Sequence, residues 1–261
     1  MLLLLSPAKS LDYDTPLPAN LPHSLPTFTQ EPLELIELLR RQSPQQLSQL
    51  MDISDKLAAL NVARYEAFNP QFTDANSRQA LLAFNGDVYE GLQASSLSAQ
   101  ELDWAQQHLV ILSGLYGVLR PLDRMQPYRL EMGTRLQNAR GANLYQFWGS
   151  RIASYLNQRS AQQPDTERTI INLASQEYFK SVDLKHLQAP VVECAFEDFK
   201  NGSYKIISFH AKRARGLMAR FAIQRRARSV AELEAFDLDG YALAPATSTP
   251  RRLVFRRKTS H

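Results

Sequence analysis

The chain opens on an unbroken apolar run, Met1 to Leu5, and turns polar at once with Ser6-Pro7-Ala8-Lys9. So short a run cannot span a bilayer, which takes about 20 residues, and it lacks the basic leader of a secretory signal. It reads as a buried first strand. Five further runs rich in β-branched and aromatic residues also read as strands: HLVIL (108–112), TIINL (169–173), PVVECAF (190–196), YKIISF (204–209) and RLVF (252–255). Several are continuous rather than alternating, which predicts a sheet covered on both faces. Between them the apolar period lengthens. Ser43-Pro44 starts a helix carrying Leu47, Leu50 and Met51, and ISDKLAALNVARYEAF supplies a second after a short break. NLYQFWGSRIASYLNQ is helical, and so is a segment beginning near Ala211 whose Ala214, Leu217, Met218 and Phe221 share one face. Residues 12–32 carry five prolines and predict an extended covering segment. No linker, repeat or low-complexity tract divides the chain, so residues 1–261 form a single compact mixed α/β domain.

Composition agrees: 44% apolar and 21% charged residues describe a globular chain. Charge changes the picture more. The net charge is only +4, but segments 200–228 and 251–261 hold 14 of the 30 Lys and Arg and none of the 26 Asp and Glu, leaving −10 for the remainder. On the helix near Ala211, Lys212, Arg213, Arg215, Arg220 and Arg226 lie opposite the apolar face with no acid at i±3 or i±4 to offset them. Such a cluster predicts a phosphate-bearing partner, which arginine grips bidentately.

Three other segments place polar groups just after strands: LSPAKSLDY (5–13) with Ser6 and Lys9, LSGLYGVLRPLDRMQPYRLEMG (112–133) with Arg120 and Arg129, and NLASQEYFKSV (172–182) with Asn172, Ser175, Tyr178 and Lys180. Ligands of open α/β sheets favour the crevice at strand C-terminal ends. The expectation is therefore one basic cleft in which Lys9, Arg120, Arg129, Lys180 and Lys212 surround a common concavity. No phosphate loop, dinucleotide fingerprint, zinc-protease or nucleophile-elbow motif is present. The single cysteine, Cys194, excludes an intramolecular disulfide, and His23, His108, His186, His210 and His261 lack metal-ligand spacing. No metal and no cofactor are expected, and a cytoplasmic location is the default.

At these same segments the chain resembles the YaaA family of bacterial peroxide-stress proteins. The likeness runs through LLLLSPAKSLDY, LMDISDKLAALNVARYEAF, AFNGDVYEGL, QQHLVILSGLYGVLRPLDRMQPYRLEMG, NLYQFWG, INLASQEYFKSV and KIISFHAKRARGLMARF, from residue 1 to about 240. The resemblance implies a single α/β fold with a basic cleft, DNA binding, and a role in limiting intracellular iron and oxidative DNA damage; the expected partner is DNA in duplex or repair-intermediate form, and no membrane partner is expected. It also implies a helix-hairpin-helix element. Its best counterpart is Ser43 to Phe68, with the hairpin near Ala59-Leu60-Asn61 and with Lys56 and Arg64 near phosphates; Gly114–Gly117 is a second. Two functions follow. In the first, Lys9, Lys56, Arg64, Arg120, Arg129, Lys180, Lys212, Arg213, Arg215 and Arg220 hold the DNA backbone without base-specific readout, and Tyr116, Tyr128 or Trp148 stack on exposed bases. In the second, Lys9, Asn172, Ser175, Tyr178 and Lys180 form an enzyme site for a nucleic-acid or phosphate-bearing substrate. Pocket shape separates them: an enclosed pocket joining Lys180 to Tyr178 favours the enzyme, and a groove wide enough for a duplex favours the binder.

Overall fold

The opening leucines form β1 (Leu2–Leu5), every residue of which is buried. In the computed structural model, which describes residues 1–258, this strand lies inside an eight-stranded sheet. The other strands are β2 (Leu109–Ser113), β3 (Gly117–Leu119), β4 (Ile170–Asn172), β5 (Val191–Lys200), β6 (Ser203–Lys205), β7 (Ala242–Leu243) and β8 (Arg252–Arg257). Their order is β7-β8-β5-β4-β1-β2-β3, with β6 folded back on β5. The neighbours β2-β1-β4-β5-β8 run parallel, and hairpins add β3, β6 and β7 antiparallel. β1, β2 and β4 are buried throughout, as strands covered on both faces must be.

The helices are α1 (Gln30–Arg40), α2 (Pro44–Met51), α3 (Asp55–Ala67), α4 (Asp87–Leu92), α5 (Ala99–His108), α6 (Leu144–Trp148), α7 (Arg151–Ala161), α8 (Gln176–Phe179) and α9 (Ser208–Arg225), with shorter turns between. The expected helix over 143–158 is broken in two, because Gly149 takes a left-handed φ of 50° that ends α6. α9 starts three residues earlier than expected, and YKIISF contributes only its first two residues to a strand.

The expected hairpin is also displaced. Asp52 adopts a left-handed φ of 51° after α2, and the Ser54 side chain caps α3. The turn is therefore Asp52-Ile53-Ser54, and Ala59-Leu60-Asn61 lies within α3, where the Asn61 amide donates to the Leu57 carbonyl at 2.8 Å. Gly114–Gly117 closes the β2–β3 strand hairpin and joins no helices.

Charge is distributed differently from the sequence expectation. In the parallel ladder, Arg252, Arg256 and Arg257 of β8 sit opposite Glu193, Glu197 and Asp198 of β5. All three pairs are ionic, at 3.8, 2.9 and 2.7 Å. The acid-free C-terminal segment is thus matched across the sheet, so its arginines serve the fold.

Two glycines fix how α9 lies. A Cβ on Gly216 of α9 would enter the backbone of α4, overlapping the Val88 carbonyl oxygen and lying 2.9 Å from the Leu92 nitrogen. A Cβ on Gly91 of α4 would in turn overlap the Arg213 carbonyl oxygen and lie 3.0 Å from the Leu217 nitrogen. This close approach brings the basic helix against the loops that follow β1 and β4.

Candidate functional site: a hollow at the strand ends

β1 and β4 are adjacent and end together, so the loops leaving them meet. The Ser175 backbone N–H donates to Ser6 Oγ at 2.9 Å, and the two hydroxyl oxygens are 3.3 Å apart. Ser175 also caps α8, which fixes Tyr178 one turn on. From α4, the Tyr89 hydroxyl donates to the Ser6 carbonyl at 3.0 Å. Together these loops and one side of α9 enclose a hollow of about 390 Å³, lined by Ser6, Lys9, Glu131, Tyr178, Lys212 and Arg215 among others. Volumes of this order suit small ligands and exclude a duplex.

The hollow holds three cations and three carboxylates, but they are not equally engaged. Lys9 and Arg129 both bind Glu131, each at 2.9 Å. Glu177 accepts the Gly133 N–H at 2.9 Å, and Asp87 lies 3.9 Å from Lys212. Every acid has a partner. Arg215 is half-buried and, among the described residues, makes neither a hydrogen bond nor an ion pair. Burial depresses its guanidinium below the ordinary arginine value, against an opposing pull from Glu193, which is itself 3.8 Å from Arg252. Burial likewise holds the Tyr178 phenol well above the usual tyrosine value, with neighbouring Tyr128, Glu177 and Glu131 adding to the shift, so it stands as a neutral donor.

Of the residues read from the sequence, Lys9, Lys212, Arg215, Ser175 and Tyr178 meet here. Others are spent elsewhere. Arg120 binds the buried Asp123 at 2.9 Å, and Arg220 donates to the Leu92 and Gln93 carbonyls and to Ser96, tying α9 to the end of α4. Arg213 lies 3.7 Å from Asp239, and Arg64 sits beside Asn61 and Tyr13 in a separate hollow. Lys56 is exposed on α3. Lys180 stands over the Tyr145 ring at 5.0 Å in a different, shallow depression, so it does not join Tyr178. Asn172 is buried, its side-chain Oδ1 accepting the Ala174 N–H at 2.9 Å. The expected catalytic set is therefore divided.

The expected stacking residues are corrected outright. Tyr116 and Trp148 are fully buried and Tyr128 nearly so; the Trp148 indole donates to Gly114 O at 3.0 Å, and Tyr128 shares a 2.6 Å bond with Ser113. They pack the β2–β3 hairpin. The most exposed aromatics among the described residues are Tyr204 and Phe209, with Ile206 between them, at 37%, 56% and 51% exposure. Their sequence signal was the apolar run YKIISF, whose last residues fall beyond the sheet edge.

The histidines hold separate posts. His108 bonds the Met1 carbonyl, His186 Asp183, His210 lies 3.3 Å from Asp198, and His23 is near Arg124; His261 lies outside the described residues. Among the described residues no group of three His, Cys, Asp or Glu side chains could hold a metal ion. No helix among them is long and apolar enough to cross a membrane.

The model of a family described as peroxide stress protein YaaA matches residues 1–247. A UPF0246 protein of Delftia acidovorans is 84% identical over 260 residues, covering the whole of both chains. UPF0246 proteins of Paracidovorax citrulli and Verminephrobacter eiseniae are each 67% identical, over 99% of both chains.

Proposed function

We infer, for a chain that belongs to the peroxide stress protein YaaA family, that it acts in peroxide stress by binding DNA whose bases are locally unpaired. The observation that carries this is the patch where β6 runs into α9. Tyr204, Ile206 and Phe209 are exposed there, flanked by Lys200, Lys205 and Lys258, none of which has a carboxylate partner among the described residues. Phe209, Lys212 and Arg213 stand one turn apart on α9 and continue the patch toward the hollow. Aromatic faces beside lysines suit single strands, since each base offers a stacking face and each phosphate a charge. We further propose that this binding helps limit intracellular iron and oxidative DNA damage.

A salt titration tests this. Affinity for a single strand should fall with salt at about −0.7 per phosphate neutralised, so changing Lys200, Lys205 and Lys258 together to Ala should flatten the slope by about two. Phe209→Ala should cost about 1–3 kcal/mol with a single strand and little with blunt duplex. Superimposable titrations for wild type and both variants would remove the reading.

Response to peroxide should not run through the protein's own thiol. Cys194 is buried in β5, and burial pushes its thiol up to about 12, whereas peroxide attacks thiolates. Native protein exposed to excess peroxide should keep Cys194 unmodified by mass spectrometry, and urea-unfolded protein should not. Rapid oxidation of the native thiol would contradict this.

A further inference from the structure

We propose that the strand-end hollow is a binding site for a phosphomonoester of about mononucleotide size, with Arg215 as its principal anchor. This goes beyond the DNA-binding surface and rests on a different anchor, Arg215, with Lys212 at the border of the two. A half-buried guanidinium gives up water contacts, and a protein normally restores them with a carboxylate or carbonyl. Elsewhere in this chain that is done: Arg120 has Asp123, Arg220 has three acceptors, and Arg257 has Asp198 and Asp239. Among the described residues Arg215 has no such contact: Glu193, whose charge pulls on it, lies 3.8 Å from Arg252, and in the hollow Glu131 is held by two cations, Asp87 stands 3.9 Å from Lys212 and Glu177 accepts a backbone N–H.

An unpaired guanidinium in such a hollow suits an anion. Its neighbours fit a phosphoryl group rather than a bare halide. Lys9 and Lys212 sit on the exposed rim, and the Ser175 hydroxyl and the neutral Tyr178 phenol line the same hollow as donors, the Ser6 hydroxyl donating to Ser175. Arginine's planar fork recognises two phosphoryl oxygens at once, with rim lysines adding charge. The volume of about 390 Å³ leaves room for a nucleoside beyond the phosphate. Free nucleotides and the 5′-phosphorylated end of a strand share this chemistry.

Calorimetry on the full chain tests it with four probes: AMP, adenosine, and a dinucleotide with and without a 5′-phosphate. A charge-assisted hydrogen bond is worth about 1.5–3 kcal/mol, so at least one phosphorylated probe should bind about tenfold or more tightly than its unphosphorylated counterpart. The pair with the larger ratio identifies the source of the phosphate. Arg215→Met, which keeps the aliphatic stem, should abolish that preference while melting no lower than wild type, because it removes a cation that has no partner. Equal binding of phosphorylated and unphosphorylated probes to wild-type protein would overturn the proposal. So would a folded Arg215→Met protein that retains the preference, or one that melts well below wild type, which would reveal a structural role. The Lys200, Lys205 and Lys258 triple variant should bind single-strand DNA more weakly and keep the phosphorylated probe, so the two readings fail separately.

Discussion

Gly216→Ala is expected to destabilise the protein by about 3 kcal/mol, the upper end of what overpacking costs, despite alanine's better helix propensity of about 1 kcal/mol. The reason is what the new methyl would meet. Its neighbours are the Val88 carbonyl and the Leu92 nitrogen, 2.8 Å from the carbonyl carbon and 2.9 Å from the nitrogen, and these are backbone atoms of α4. A flexible side chain could swing aside, but two helices in reciprocal contact must separate. Gly91→Ala should act in the same direction, since its methyl would meet the backbone of α9 at Arg213 and Leu217. Arg215 is the residue before Gly216, so the displacement would also widen the hollow. Urea unfolding gives the stability change directly. A Gly216→Ala protein as stable as wild type would show that the two helices can part freely.

Asp198→Ala should cost about 3–5 kcal/mol, the usual penalty for breaking one side of a buried ion pair. Asp198 is 4% exposed, and its carboxylate accepts from Arg257 Nε at 2.7 Å and from the Tyr241 hydroxyl at 2.9 Å. Removing it leaves the Arg257 guanidinium, itself 8% exposed, with only Asp239. For a chain of this size the loss corresponds to a fall in Tm of roughly 10 °C. Asp198→Asn keeps acceptor capacity and should cost less. Pairing Asp198→Ala with Arg257→Met should recover part of the loss, because no uncompensated charge then remains buried. A single-variant effect below about 1 kcal/mol would mean that water or His210 replaces the carboxylate.

These two sites also mark the limit of what the sequence makes legible. Local patterns decide local structure. The run of leucines after Met1, cut short by Ser6-Pro7, reads as a strand buried on both faces, Ser43-Pro44 followed by apolar residues at helical spacing reads as a helix start, and strand ends rich in Ser, Lys and Asn lie at the carboxyl edge of a parallel sheet. Those features depend on neighbours within a few residues. So does the left-handed Asp52 that moves the expected hairpin, but asparagine, aspartate and glycine all permit that conformation without requiring it.

Pairing between distant segments obeys no such rule. The absence of acids from 200–228 and 251–258 suggested charge held in reserve for a polyanion. Yet β8 lies beside β5, which sets Arg252, Arg256 and Arg257 against Glu193, Glu197 and Asp198. A cation's worth depends on what stands within a few ångströms, and for a chain that folds back on itself this is decided by strand order and register. The same holds for Tyr116, Tyr128 and Trp148, whose aromatic character was plain but whose burial followed from the packing around the β2–β3 hairpin. By itself the sequence determined a covered α/β sheet with polar loops at the ends of its strands. Only the tertiary structure decided that most of the arginines of α9 and β8 hold the fold together, leaving Arg215 at the hollow without a partner among the described residues, because electrostatic neutralisation acts through space and the chain order does not encode distance.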